Sequence, residues 1–146
     1  VNMGRPVPKT SSSTDEYILV SLGNPHVVMT VNKTPNWEKY ITIGKKIQSK
    51  FSDGVNVGFM SIMDKKNIKL KVLERGSGLT LACGSGACAA CAVAISKGLV
   101  DSPVKVHMDG GDLEIKWDGS NSMTMSGPAK IVYEGKVDLK SIADND

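Results

Sequence analysis

The chain has 146 residues, 40% hydrophobic and 23% charged, the make-up of one globular domain large enough to bury a core. Its net charge of +3 is small, and its basic residues are scattered apart from pairs such as Lys45-Lys46 and Lys65-Lys66, which leaves no basic stripe for nucleic acid. No apolar run reaches the roughly 18 residues of a membrane span, there is no signal-peptide pattern, and three cysteines, an odd number, are not a disulfide framework, so no membrane partner and a cytoplasmic setting are expected.

The chain opens on Val1-Asn2-Met3-Gly4, with no initiator methionine, and reads as a fragment or a domain cut from a longer protein. A Ser- and Thr-rich stretch from Lys9 to Thr14 reads as a surface loop. Short strands are predicted over Glu16–Ser21 and Val27–Val31, parted by the turn residues Gly23-Asn24-Pro25. Thr34 then Pro35 makes an N-cap and first-turn pair for a helix whose residues Trp37, Tyr40, Ile43 and Ile47 form one apolar stripe. Strands over Val55–Asp64 and Asn67–Glu74 are joined by a tight turn at Lys65-Lys66-Asn67. Further strands are predicted at Val104–His107, Asp112–Trp117, Ser122–Ser126 and Ala129–Val137, with turn signals at Asp109-Gly110-Gly111, Asp118-Gly119 and Gly127-Pro128.

Between these strand groups lies a stretch of another kind. Ala87 to Lys97 is almost all Ala, Cys, Val and Ile, with Gly98 where a left-handed C-cap belongs. A helix with no polar face is buried on all sides, and small side chains let strands approach it closely. The fold class expected is therefore α+β: antiparallel strands in a barrel-like sheet wrapped around this helix, with the amphipathic helix outside. Cys83, in the glycine-bracketed Cys83-Gly84-Ser85-Gly86, stands at the mouth of the buried helix. Free amides and the helix dipole there stabilise an anion, lowering a thiol pKa or holding a substrate carboxylate. The plainer alternative is a small core residue, the reading that suits Cys88 and Cys91 inside the helix. No zinc pattern is present, since His26 and His107 lie far from the cysteines in sequence.

The run Glu74-Arg75-Gly76-x-Gly78-x-Thr80-x-Ala82-Cys83-Gly84-Ser85-Gly86-Ala87-Cys88 follows Gly23-Asn24-Pro25-His26 and Gly54-Val55-Asn56-Val57. With Gly110-Gly111-Asp112-Leu113-x-Ile115-x-Trp117 and Met125-x-Gly127-Pro128-Ala129, this ordered set resembles the second half of the diaminopimelate epimerase family over nearly the whole chain. The resemblance implies a single domain over residues 1–146, the second of two facing strand-wrapped helices, with about 138–146 packing on the first. It implies a cofactor-independent isomerase that acts on an amino-acid substrate, converting LL-2,6-diaminopimelate to the meso isomer for lysine and peptidoglycan synthesis. Each domain would supply one cysteine, one thiolate removing the α-proton and the opposite thiol returning a proton to the other face. A homodimer of the full-length enzyme is implied, no metal or other cofactor is, and this chain alone would be inactive.

By the same resemblance Cys83 is the acid/base cysteine, and Gly84 and Ser85 bind the reacting carboxylate. Asn24, Asn56, Glu74 and Arg75 grip substrate polar groups, Arg75 the distal carboxylate and Glu74 an ammonium. His26 lies near the reacting centre and helps to position or polarise the cysteines. Without the resemblance, Asn24 builds a turn, Glu74 and Arg75 are a solvated pair, and His26 is structural; His107, Trp37 and Trp117 keep that structural reading. Departures from the family pattern are Leu79 and Gly58, where acidic residues are usual, and Ser85, where Thr is common. The alternatives are a racemase of another amino acid on the same fold or a non-catalytic binding module; a thiol redox protein fits less well, because the Cys-x-x-Cys spacing of Cys88 and Cys91 falls inside the helix.

Overall fold

A computed structural model describes residues 1–9, 17–32 and 35–138. The strands are β1 (Val7–Pro8), β2 (Ile18–Ser21), β3 (Pro25–Thr30), β4 (Asn56–Ile62), β5 (Asn67–Glu74), β6 (Gly78–Thr80), β7 (Val104–Met108), β8 (Gly111–Lys116) and β9 (Thr124–Ser126). Helix α1 covers Trp37–Gln48 and helix α2 covers Gly84–Ser96. The sheet runs β1-β2-β3-β4-β5-β7-β8-β9, with β6 paired to β5. It curls around α2, which touches β2, β3, β4, β5 and β8. The wrapped-helix architecture is as expected, but the sheet is mixed: β3 with β4 and β5 with β7 are parallel pairs, because α1 and α2 serve as crossovers between them.

Every residue of α2 from Gly86 to Ala94 is buried, and the helix packs on Val20, Val28, Met60, Ile68, Leu70, Val72, Val106 and Ile115 from the concave face of the sheet. Strand alternation sends the other residues outward, and Val27, Met29, Val57, Phe59 and Leu73 form a second core beneath Trp37, Tyr40, Ile43 and Ile47 of α1. Gly44 lets α1 settle there, since a Cβ on it would come within 2.8 Å of the Phe59 ring. Beyond α2, Gly98 takes φ +64 and its amide bonds Ile95, a left-handed C-terminal turn as the sequence requires. At the β4–β5 turn, the Asp64 carboxylate accepts from the Lys66 amide and from Asn67 Nδ2.

Several boundaries differ from expectation. Glu16, residues 10–14 of the predicted loop, the Thr34 cap and residues 139–146 lie outside the described residues. The cap seen on α1 is Asn36, whose Oδ1 accepts from the Lys39 amide at 3.2 Å. Helix α2 starts three residues before the predicted Ala87, because Gly84 to Gly86 continue the helical turn despite their low propensity. The strand predicted over Ala129–Val137 does not form: these residues pair with no strand and expose Ile131, Val132 and Tyr133. Their alternation is strand-like, but a strand needs a free edge to join, and the outer edge of β9 is taken by residues 1–4, which exchange backbone bonds with Met123 and Met125. Strands β1 and β6 are too short to be seen as patterns. His107 is structural, between Asp112 and Asn67, and so is Trp117, whose indole N–H donates to the Asn121 carbonyl. Among the described residues no helix is long and apolar enough to cross a membrane.

Candidate active site

Register explains which side chains meet Cys83. In β3, β4 and β5 the residues that face α2 are Val28, Met60, Val72 and those in phase with them. His26 aligns with Asn56, and Val57 with Leu73, so His26, Asn56 and Glu74 follow the same phase onto the concave face. Strands β3 and β4 begin at the end where antiparallel β5 finishes. Three polar side chains from three adjacent strands are thereby gathered beside the first turn of α2.

Cys83 is the N-cap of α2, with extended backbone, φ −148 and ψ 108, and it is 7% exposed. Its side chain makes no capping bond, so the thiol is left for other partners. Sγ lies 3.8 Å from Ser85 Oγ. Asn24 Nδ2 donates to that hydroxyl at 3.4 Å, which leaves the Ser85 hydrogen free for the sulfur. The Oδ1 of Asn24 in turn meets His26 Nε2 at 3.1 Å. With the amide oriented in this way, Nε2 carries the hydrogen and Nδ1 is a bare acceptor. His26 is 1% exposed, and its Nδ1 is a buried nitrogen with no hydrogen-bond partner among the described residues. Burial drives the His26 pKa down to about 4, although Glu74 pulls it up, so the ring is neutral at neutral pH.

Glu74 is the acid of the cluster. Thr80 Oγ1 donates to its Oε1 at 2.6 Å, and its phase on β5 puts it on the face of the sheet that meets α2. The thiol is not lowered as its position at a helix N-terminus suggests. Burial pushes it above the ordinary cysteine range and Glu74 adds to the rise, while the Gly86 amide and the Ser85 hydroxyl oppose them. The resting group is the thiol, a proton donor. Cys88 is pushed up to about 12 by burial, and Cys91 is raised by the same cause, as befits core cysteines.

Cys83, Ser85, Asn24, His26 and Glu74 therefore converge. Asn56 sits in register beside His26, but its contacts are with backbone: Oδ1 accepts from the Arg75 amide at 2.9 Å and Nδ2 donates to the Pro25 carbonyl at 3.5 Å. It ties the ends of β3 and β5 together. Arg75, one residue out of phase, turns away, and its Nη1 donates to the Asp53 carbonyl at 2.7 Å. The turn residue Gly54, at φ +71, makes room, since a Cβ there would come within 2.4 Å of the arginine stem. Gly84 is roofed by Met125, whose sulfur would lie 3.1 Å from a Cβ at that position. Sequence reasoning assigned no role to Thr80 or Met125, although both lie within the quoted motifs. Among the described residues no three His, Cys, Asp or Glu side chains converge as a metal site.

The fold recurs in solved structures of low sequence identity. The chain superposes on a probable proline racemase from Agrobacterium radiobacter K84 with a TM-score of 0.58 at 13% identity, over 87% of this chain and 49% of that one. It also superposes on a phenazine biosynthesis protein of the PhzF family from Enterococcus faecalis, TM-score 0.55 at 14% identity, over 80% of this chain and 41% of that one. These likenesses define a fold class of helices wrapped by curled sheets. Sequence defines the family: the model for diaminopimelate epimerase matches residues 18–132. The diaminopimelate epimerase of Cupriavidus necator is 44% identical over 92% of this chain and 47% of its own length, and that of Paraburkholderia xenovorans 46% over 90% and 48%. The chain belongs to the diaminopimelate epimerase family, and it spans about half the length of the curated relatives it matches.

Proposed function

We propose that this chain is one half of a cofactor-independent epimerase that converts LL-2,6-diaminopimelate to the meso isomer, serving lysine and peptidoglycan synthesis in the cytoplasm. The observation that carries the reading is the buried Cys83 thiol at the N-terminus of α2, 3.8 Å from the Ser85 hydroxyl. A thiolate from a first domain takes the substrate α-proton, and Cys83 gives its own proton to the opposite face of the carbon. Cys83 ends as the thiolate and its opposite number as the thiol, so the reverse reaction starts from the mirror arrangement. A raised thiol suits the donor role, and amides of Gly84 and Ser85 at the helix terminus stabilise the charge that develops on the carboxylate.

The remaining assignments belong to the same proposal. Asn24 holds the Ser85 hydroxyl and the His26 ring, and the unpartnered Nδ1 of His26 faces the reacting groups as an acceptor. Glu74 exchanges a proton with the Cys83 thiol and offers an ammonium its charge. Asn56 frames the site, and Arg75 takes the distal carboxylate with the N–H groups not given to Asp53. The exposed Ile131, Val132 and Tyr133, with residues 138–146 after them, pack on the first domain, and the complete protein forms a homodimer.

A second reading, a racemase of another amino acid, is favoured by Leu79, 44% exposed on β6 two residues before the exposed Leu81. The two are separated by incubating the complete gene product with LL-diaminopimelate and with a panel of other amino acids, and following configuration by NMR. Conversion of diaminopimelate alone supports the first. Conversion of another member supports the second, and silence across the panel leaves a binding module.

A further inference from the structure

We propose that Gln48 is a positioning residue for substrate binding: from the end of α1 its side-chain amide spans the fork where β4 and β5 part, and so sets the spacing of Asn56 on one branch from Glu74 and Arg75 on the other. The inference rests on the epimerase reading for its purpose but not for its geometry. The β4–β5 ladder stops at the pair Val57 and Leu73. One residue beyond, Asn56 pairs with His26 on β3 and Glu74 pairs with Gly78 on β6, so each strand leaves with a different neighbour. Two side chains cross the gap. Asn56 Oδ1 accepts from the Arg75 amide at 2.9 Å, and Gln48 Nε2 donates to the Val55 carbonyl at 3.0 Å and to the Leu73 carbonyl at 3.1 Å. Those carbonyls belong to the residues immediately before Asn56 and Glu74.

The glutamine acts from a firm base. It is the last residue of α1 and follows Ile47, which is buried in the core beneath that helix. Its own carbonyl accepts from the Phe51 amide at 3.1 Å, and the Phe51 carbonyl accepts from the Gly54 amide at 2.9 Å. These bonds close the turn whose Asp53 carbonyl takes Nη1 of Arg75. Gln48 therefore governs both routes by which Arg75 is placed, the strand end that carries its backbone and the turn that holds its side chain. Because both partners are carbonyls, only the NH₂ end of the side chain fits between them. Val55 and Leu73 are themselves buried, so water is a poor substitute for the lost donors.

Gln48 is the only glutamine in the chain, so its side-chain amide is identified by residue type in an NMR spectrum. In the wild type its hydrogens are expected to exchange with heavy water at least about tenfold more slowly than those of a free glutamine side chain. Exchange at the free rate overturns the proposal. Gln48→Met keeps the length and removes both donors. In this chain it is expected to speed exchange of the Arg75 backbone amide about tenfold, while Phe59 and Lys71, within the ladder, keep their rates. An unmoved Arg75 amide overturns the proposal, as do ladder amides that accelerate equally, which mark general loosening. In the complete gene product the same variant is expected to raise KM for LL-diaminopimelate about tenfold, with kcat changed less than about twofold. An unchanged KM beside an accelerated Arg75 amide overturns the role in binding. Failure of the epimerase reading is distinct: the wild-type gene product then converts no diaminopimelate, while the exchange results at the fork stand.

Discussion

Acid should weaken this domain through His26 by an amount that the structure sets. The ring is buried, its pKa is held down at about 4 against an ordinary 6.5, and the cause is burial, partly offset by Glu74. A group with a depressed folded-state pKa binds fewer protons folded than unfolded, so its neutral form is at no disadvantage above pH 6.5. Stability is then lost as pH falls from there toward 4. Linkage gives a loss of about 2 kcal/mol by pH 5 relative to pH 8, approaching about 3 kcal/mol near pH 4. With a urea slope of about 2 kcal/mol/M, the midpoint should fall by about 1 M between pH 8 and pH 5. Urea titrations at both pH values, for wild type and His26→Gln, isolate this part. Other groups also titrate, Asp64 and Asp118 among them, both held low by the backbone and side-chain donors around them, but they are common to the two proteins. The variant should show a pH-dependent drop smaller by about 2 kcal/mol. An equal drop in both would refute the claim that His26 is buried as a neutral ring.

Two further substitutions probe the frame. Gly86→Ala places a methyl 3.1 Å from Cys83 Sγ and 3.0 Å from Val72 Cγ2, so it should displace the thiol, lowering turnover on the order of 10²-fold at a stability cost of about 1–2 kcal/mol; kinetics and thermal melting on the same sample check both. Ala90→Leu inserts bulk at a fully buried position of α2 and should lower Tm by at least about 5 °C, measured by circular dichroism, whereas a change of under a degree would mean that this part of α2 is not enclosed.

The buried helix was legible because Ala87–Ala94 has no polar face, and α1 because Trp37, Tyr40, Ile43 and Ile47 repeat at helical spacing. What sequence could not carry is phase. Glu74 and Arg75 are neighbours and look equivalent in the motif, yet pleating sends one to Thr80 on the face that meets α2 and the other across Gly54 to the Asp53 carbonyl. Asn56 reads as a ligand, but its amide is taken by the backbone at the ends of two strands. The parallel pairings were hidden because short strands carry no mark of the direction of their neighbours. A helix N-terminus suggested a lowered thiol, while burial and the Glu74 carboxylate, neither visible before folding, reverse the shift. The segment Ala129–Val137 alternates like a strand but joins no strand among the described residues.

In the proposed reaction Cys83 moves a proton to or from the α-carbon. It is tested most directly by NMR in heavy water, following α-proton exchange of LL-diaminopimelate on the complete gene product, wild type against Cys83→Ala. Exchange in the wild type should fall by at least about 10²-fold in a variant that still folds. Exchange persisting at the wild-type rate in Cys83→Ala would contradict it.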